Sequence, residues 1–168
     1  NNFNISGNTI NGIANSSALA ATGIAVSGQS TNGTITKNNI SDIYQSSALS
    51  GSFGIELSSL VNASGIAVNN NFIWNVSANG SGIVANNSNG ILINGGGGYN
   101  IYYNSVNMAT NQVDASSITA AIRIGSEVTF PNSLNIRNNI FANTTTVGTI
   151  YSIFNESSAA IFADIDYN

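Results

Sequence analysis

A six-residue pattern, apolar-x-x-Asn-x-apolar, returns along the whole chain. A chain that repeats one short unit at a near-constant period folds as a stack of like coils, each burying its apolar face on the next. The copies are Ile5-Ser6-Gly7-Asn8-Thr9-Ile10, Ile35-Thr36-Lys37-Asn38-Asn39-Ile40, Val68-Asn69-Asn70-Asn71-Phe72-Ile73, Ile101-Tyr102-Tyr103-Asn104-Ser105-Val106 and Ile136-Arg137-Asn138-Asn139-Ile140-Phe141. A further copy opens at Ile165-Asp166-Tyr167-Asn168. The repeated residues Asn8, Asn38, Asn71, Asn104, Asn139 and Asn168 are separated by 30, 33, 33, 35 and 29 positions.

A second motif interleaves with the first. Gly23-Ile24-Ala25-Val26 matches Gly54-Ile55-Glu56-Leu57, Gly90-Ile91-Leu92-Ile93 and Ala121-Ile122-Arg123-Ile124, with Ser152-Ile153-Phe154 a weaker copy. Its isoleucines step by 31, 36, 31 and 31. Taking Ile83 in place of Ile91 makes the steps less even, so Ile91 is preferred. Apolar residues alternate over three or four positions between Gly, Asn and Ser clusters, the mark of short strands. No segment carries a sustained 3.6-residue period, so helical solenoids fit poorly.

These observations predict an all-β chain: a right-handed parallel β-helix solenoid of about five coils, each of roughly 30–35 residues with three short strands. Residues 1–168 form a single β-helix segment. Ile5, Ile10, Ile24, Ile35, Ile40, Ile55, Val68, Ile73, Ile91, Ile101, Val106, Ile122, Ile136 and Phe141 are expected to point inward. The repeated asparagines are expected to stack as an internal ladder. Each sits at a sharp bend, and the expectation is that it adopts the left-handed conformation that Asn tolerates.

Asn100-Ile101-Tyr102-Tyr103-Asn104-Ser105-Val106, Ile136-Arg137-Asn138-Asn139-Ile140-Phe141 and Ile165-Asp166-Tyr167-Asn168 resemble the secreted right-handed parallel β-helix repeat proteins of Bacteroidota, within the pectin-lyase-like superfamily. The resemblance spans essentially the whole chain and is specific for fold rather than activity. It implies a long, modular, surface-associated parent protein and a location outside the cell or on its surface.

Composition narrows the function classes. The chain holds 30 Asn, 24 Ser and 12 Thr, while only 6% of its residues are charged, against roughly 25% in an ordinary domain. Lys37, Arg123 and Arg137 are too few and too scattered for nucleic-acid binding. No apolar run approaches the ~20 residues of a membrane-spanning helix, so membrane insertion is not expected. His and Cys are absent, which removes imidazole and thiolate metal sites and His-dependent triads. No cofactor, metal or catalytic residue is assigned. The acids Asp42, Glu56, Asp114, Glu127, Glu156, Asp164 and Asp166 fall mostly on different coils and read as solvated residues, whereas a glycosidase needs paired carboxylates.

Trp74, Tyr102 and Tyr103 are candidate glycan contacts, since an exposed aromatic ring offers apolar area with a polar tip. The plainer reading is that Phe72 and Tyr99 fill core or loop gaps and Tyr102 shields a sheet. The run Gly95 to Gly98 lacks the Lys-Ser/Thr of a phosphate loop and reads as a flexible turn. The expected role is a non-catalytic structural or adhesive module, a rigid spacer or fibre segment. The alternative is a polysaccharide-binding or polysaccharide-processing β-helix. The chain starts and stops at nearly the same phase of the repeat, without a capping helix. Neighbouring coils, or identical subunits stacked end to end, are therefore the expected partners, with polysaccharide a further candidate.

Overall fold

In the computed structural model, which describes residues 2–168, each coil contributes one strand to each of three parallel sheets. The first sheet stacks β1 (Phe3–Ser6), β4 (Gly33–Thr36), β7 (Ile66–Asn69), β10 (Tyr99–Tyr102), β13 (Leu134–Arg137) and β16 (Phe162–Asp166). The second stacks β2 (Thr9–Asn15), β5 (Asn39–Gln45), β8 (Phe72–Ala78), β11 (Ser105–Met108) and β14 (Ile140–Asn143). The third stacks β3 (Ala21–Gly28), β6 (Ser52–Ser59), β9 (Ser88–Ile93), β12 (Ile118–Ile124) and β15 (Thr149–Asn155). Two single-turn 3-10 segments, Val84–Asn86 and Ala159–Ile161, are the only helical pieces among the described residues. No helix is long and apolar enough to cross a membrane. The chain is thus a parallel β-solenoid of about five coils.

The core is made of like apolar side chains aligned coil on coil, with Ile165 at the end of its column exposed. In the first sheet Ile5, Ile35, Val68, Ile101, Ile136 and Ile165 are in register. In the second, Ile10, Ile40, Ile73, Val106 and Phe141 align. In the third, Ile24, Ile55, Ile91, Ile122 and Ile153 align, which confirms Ile91 as the register residue. The middle members are fully buried, and Ile5 and Ile10 in the first coil are partly buried against the same core. β-Branched side chains suit this arrangement because their restricted χ1 packs well on a pleated surface. Burying each one contributes about 1.5–3 kcal/mol.

Between the first and second sheets the asparagines form an unbroken ladder. The Asn38 backbone N–H and side-chain Nδ2 both donate to Asn71 Oδ1, at 3.1 and 2.9 Å. The second Nδ2 hydrogen reaches back to the Ile5 carbonyl at 2.9 Å. Asn71 treats Asn104 and the Ile35 carbonyl in the same way, and Asn104 does so with Asn139 and Val68. Asn8 donates to Asn38, and Asn139 to Asn168. In the middle rungs every amide hydrogen has an acceptor, and each Oδ1 accepts from the coil before it.

The bend conformation differs from the expectation in one respect. The left-handed residue is the one before the ladder Asn: Gly7, Lys37, Asn70, Tyr103, Asn138 and Tyr167 all have φ between 51° and 68°. None of the ladder asparagines has positive φ. The bend therefore needs Asn for its amide, while the preceding site tolerates Lys and Tyr at roughly 1–2 kcal/mol each.

The glycine of the second motif answers a different demand. Gly23, Gly54 and Gly90 lie at a kink in the third sheet, unpaired between residues that are paired. A Cβ on Gly54 would stand 2.5 Å from Ile73 Cγ2 and 2.6 Å from the Gly90 carbonyl oxygen. A Cβ on Gly90 would stand 2.2 Å from Val106 Cγ1. The missing side chain is what lets the isoleucine column of the second sheet press against the third.

Two substitutions test these roles. Asn71→Leu strands the Asn38 donors and the Asn104 acceptor, so unfolding in urea should show a loss on the order of 3–5 kcal/mol. Lys37→Gly, at the preceding bend position, should change stability by less than about 1 kcal/mol. Equal losses from both would refute the division of labour at the bend. Gly54→Val should destabilise by at least about 3 kcal/mol through overpacking against backbone that cannot yield, whereas Gly54→Ala should fall between Val and the native residue.

Candidate functional site

An inward-facing core leaves chemistry to the outward residues of the three sheets and to the corners. On the third sheet the outward column runs Ala25, Glu56, Leu92, Arg123 and Phe154, as the second motif implies. Its centre is not open to solvent: Leu92 and Arg123 are buried. Arg123 Nε donates to Glu156 Oε2 at 2.6 Å, with side-chain exposures of 9% and 23%. At the end of this column the Phe154 ring stacks on Tyr151 with centroids 4.7 Å apart. Glu156 is thus a structural counter-ion rather than the solvated acid expected from sequence.

Asp42, Asp114, Asp164 and Asp166 are also engaged, while Glu127 is exposed to solvent. Asp42 accepts from the Ser41 hydroxyl at 3.1 Å and from Asn75 Nδ2. Asp114 accepts from the Ser116 N–H and hydroxyl, which hold its carboxyl below the usual range. Asp164 pairs with Arg137 at 3.2 Å, and Asp166 accepts the Tyr167 N–H at 2.8 Å. Asp164 and Asp166 lie in register with Asn135 and Arg137 on the first sheet. Among the described residues no three acids gather into a metal-binding group. Arg123 with Glu156 and Asp42 with Asn75 are each 33 positions apart. A pairing rule of one period would have found both in the sequence.

Glu56 stands apart. It is partly buried between Ala25 and Leu92, and burial pushes its carboxyl above the ordinary range. Desolvation disfavours the charged form, and no neighbouring cation offsets that effect.

The aromatics divide into two groups. Trp74 lies on the outer face of the second sheet with Phe72, rings near parallel at 28° and centroids 6.5 Å apart. Its Nε1 donates to Asn39 Oδ1 at 3.3 Å. Tyr102 lies on the first sheet, half-buried beneath Arg137, whose guanidinium carbon is 5.2 Å from the ring centre. Tyr103 occupies the corner, 59% exposed, tilted 59° to Tyr102. Phe72 is exposed rather than filling a core gap, so it belongs with Trp74. Tyr99 is buried, donating its hydroxyl to the Gly95 carbonyl and accepting the Ser59 N–H.

The glycine run is not an open loop. Gly95, Gly96 and Gly98 have positive φ, and a Cβ on Gly96 would lie 2.3 Å from the Ser59 carbonyl oxygen. Gly97 accepts from the Ser64 N–H and hydroxyl, and Gly98 donates to the Ser133 carbonyl. The run is a close-packed turn wedged between coils, a correction to the flexible turn expected from its composition. Compared with known protein families, curated proteins and solved structures, the chain matches none.

The raised Glu56 carboxyl gives a pH prediction. The folded state binds this proton more tightly than the unfolded chain, so its contribution is full below roughly pH 4 and is lost as pH rises through the folded value. Glu56→Gln should therefore raise the melting midpoint at pH 7, and the gain should vanish near pH 4. A gain of equal size at both pH values would show that desolvated charge is not the cause.

Proposed function

We propose that this segment is a rigid, non-catalytic structural module of an extracellular or cell-surface bacterial protein, a spacer or fibre segment. This is the role that the resemblance to secreted β-helix repeat proteins of Bacteroidota implies. In it, each coil's partners are neighbouring coils or identical subunits end to end. The observation that carries the reading is the amide ladder. It couples every coil to the next through paired donors and acceptors, so the coils resist separation as independent units. The disposition of the acids supports it further. Asp42, Asp114, Glu156, Asp164 and Asp166 are each bound to a structural partner, whereas polysaccharide hydrolysis needs two free carboxyls facing one bond.

Two measurements test the proposal. Incubated with pectate, alginate or xylan, with or without calcium, the chain should release no new reducing ends or unsaturated products above a blank. Products that disappear on Glu56→Gln or Asp166→Asn would establish an enzyme instead. In native-state hydrogen exchange, the strands from β4 to β13 should open together at a single free energy. Separate opening of individual coils would overturn the rigid spacer.

A further inference from the structure

We infer that the outer face of the second sheet binds a neutral polysaccharide, with Phe72 and Trp74 as its stacking surface. The spacer role stands without this, and the two fail separately. Outward strand positions are filled largely by Asn, Ser, Thr and Ala. Of the outward ring pairs, Tyr151 and Phe154 stack closely on each other at 4.7 Å, whereas Phe72 and Trp74 stand exposed with centroids 6.5 Å apart. Phe72 is 47% and Trp74 36% exposed. Neither is needed for the core, whose second-sheet column is filled by Ile40, Ile73 and Val106. The Trp74 indole is held in place by its bond to Asn39, so its open face is presented with little rotamer entropy left to lose on binding.

The surroundings select the ligand class. Phe72 is in register between Asn39 and Ser105, and Trp74 between Ser41 and Asn107. Ser41 is buried with its hydroxyl on Asp42, but Asn39, Ser105 and Asn107 are exposed or partly so. At coil spacing of about 4.8 Å, these three offer donors and acceptors to sugar hydroxyls beside the rings. No outward residue on the paired positions of this sheet is charged. Charges adjoin this sheet at Lys37, exposed at the corner two residues before Asn39, and at Asp42 in the kink of β5. One cation set against one carboxylate, on a chain of net charge −4, gives nothing to hold a polyuronate or a nucleic acid. Sugar C–H faces stack on aromatic rings without any charge. The exposed large apolar side chains of this face are Tyr44, Phe72, Trp74 and Ile140, a small set beside the roughly 20–30 residues a side of a stable protein interface, which argues against a second copy on this face.

Trp74 is the chain's only tryptophan, so its fluorescence reports this face without background. Titration with cellohexaose, mannohexaose or maltohexaose should give a saturable shift with at least one of them. Hexagalacturonate should bind at least about tenfold more weakly, a difference of about 1.4 kcal/mol. Phe72→Ala should weaken the neutral sugar by about tenfold while leaving the melting midpoint in place, because the ring is exposed. Tyr103→Ala should leave affinity within about twofold. No saturable shift with any neutral hexasaccharide, equal affinity for the uronate, or a loss on Tyr103→Ala as large as on Phe72→Ala would each overturn the inference. So would a Trp74 shift that follows protein concentration without sugar, which would assign the face to self-association.

Discussion

A buried side-chain amide must find partners for both its hydrogens and its oxygen, and this requirement governs the rest of the molecule. Each middle rung of the ladder meets it with two donors to the next asparagine and the preceding coil's carbonyl, while its oxygen accepts two bonds in turn. An unpaired buried amide costs about 1–3 kcal/mol, so no rung can move alone. The ladder therefore fixes the phase of the coils. With the phase fixed, the isoleucine columns on either side fall into register. The glycine kink then brings the second and third sheets to contact distance.

Much of this was legible in the sequence, for a physical reason. A solenoid contacts itself one period away, so a repeat in sequence is a contact in space. The inward columns, the ladder and the outward column from Ala25 to Phe154 follow from aligning the copies. What was not legible was conformation within a copy. Asn was expected to adopt the left-handed backbone because of its propensity, yet Lys37 and Tyr103 adopt it and the neighbouring Asn does not. Tertiary hydrogen bonding outweighed local preference. The glycine run was misread likewise, since its composition matches a mobile turn and only the coils above and below show that there is no room for side chains.

The outer surface was less legible than the core because its pattern is irregular. Trp74, Tyr102 and Tyr103 are close in the repeat, but the bend at Asn71 and Asn104 separates the faces they occupy. Phe72, two positions from Trp74, shares its face by simple alternation. Arg123 and Glu156 illustrate the complementary error. Each alone reads as a surface charge, and only their separation by one coil reveals the ion pair.

The ladder also has a direction. Every asparagine-to-asparagine bond donates toward the coil that follows in sequence, so the stack is a vector and not a symmetric column. A coil copied in frame carries the same donors and acceptors as its neighbours and extends the stack without a mismatched joint. A coil entering in the opposite sense would set donor against donor. Growth by tandem duplication is thus chemically permitted at every rung, while the 29- to 35-residue variation between rungs is absorbed in the loops. Length becomes a quantity that duplication can adjust without altering the bonding of any existing coil.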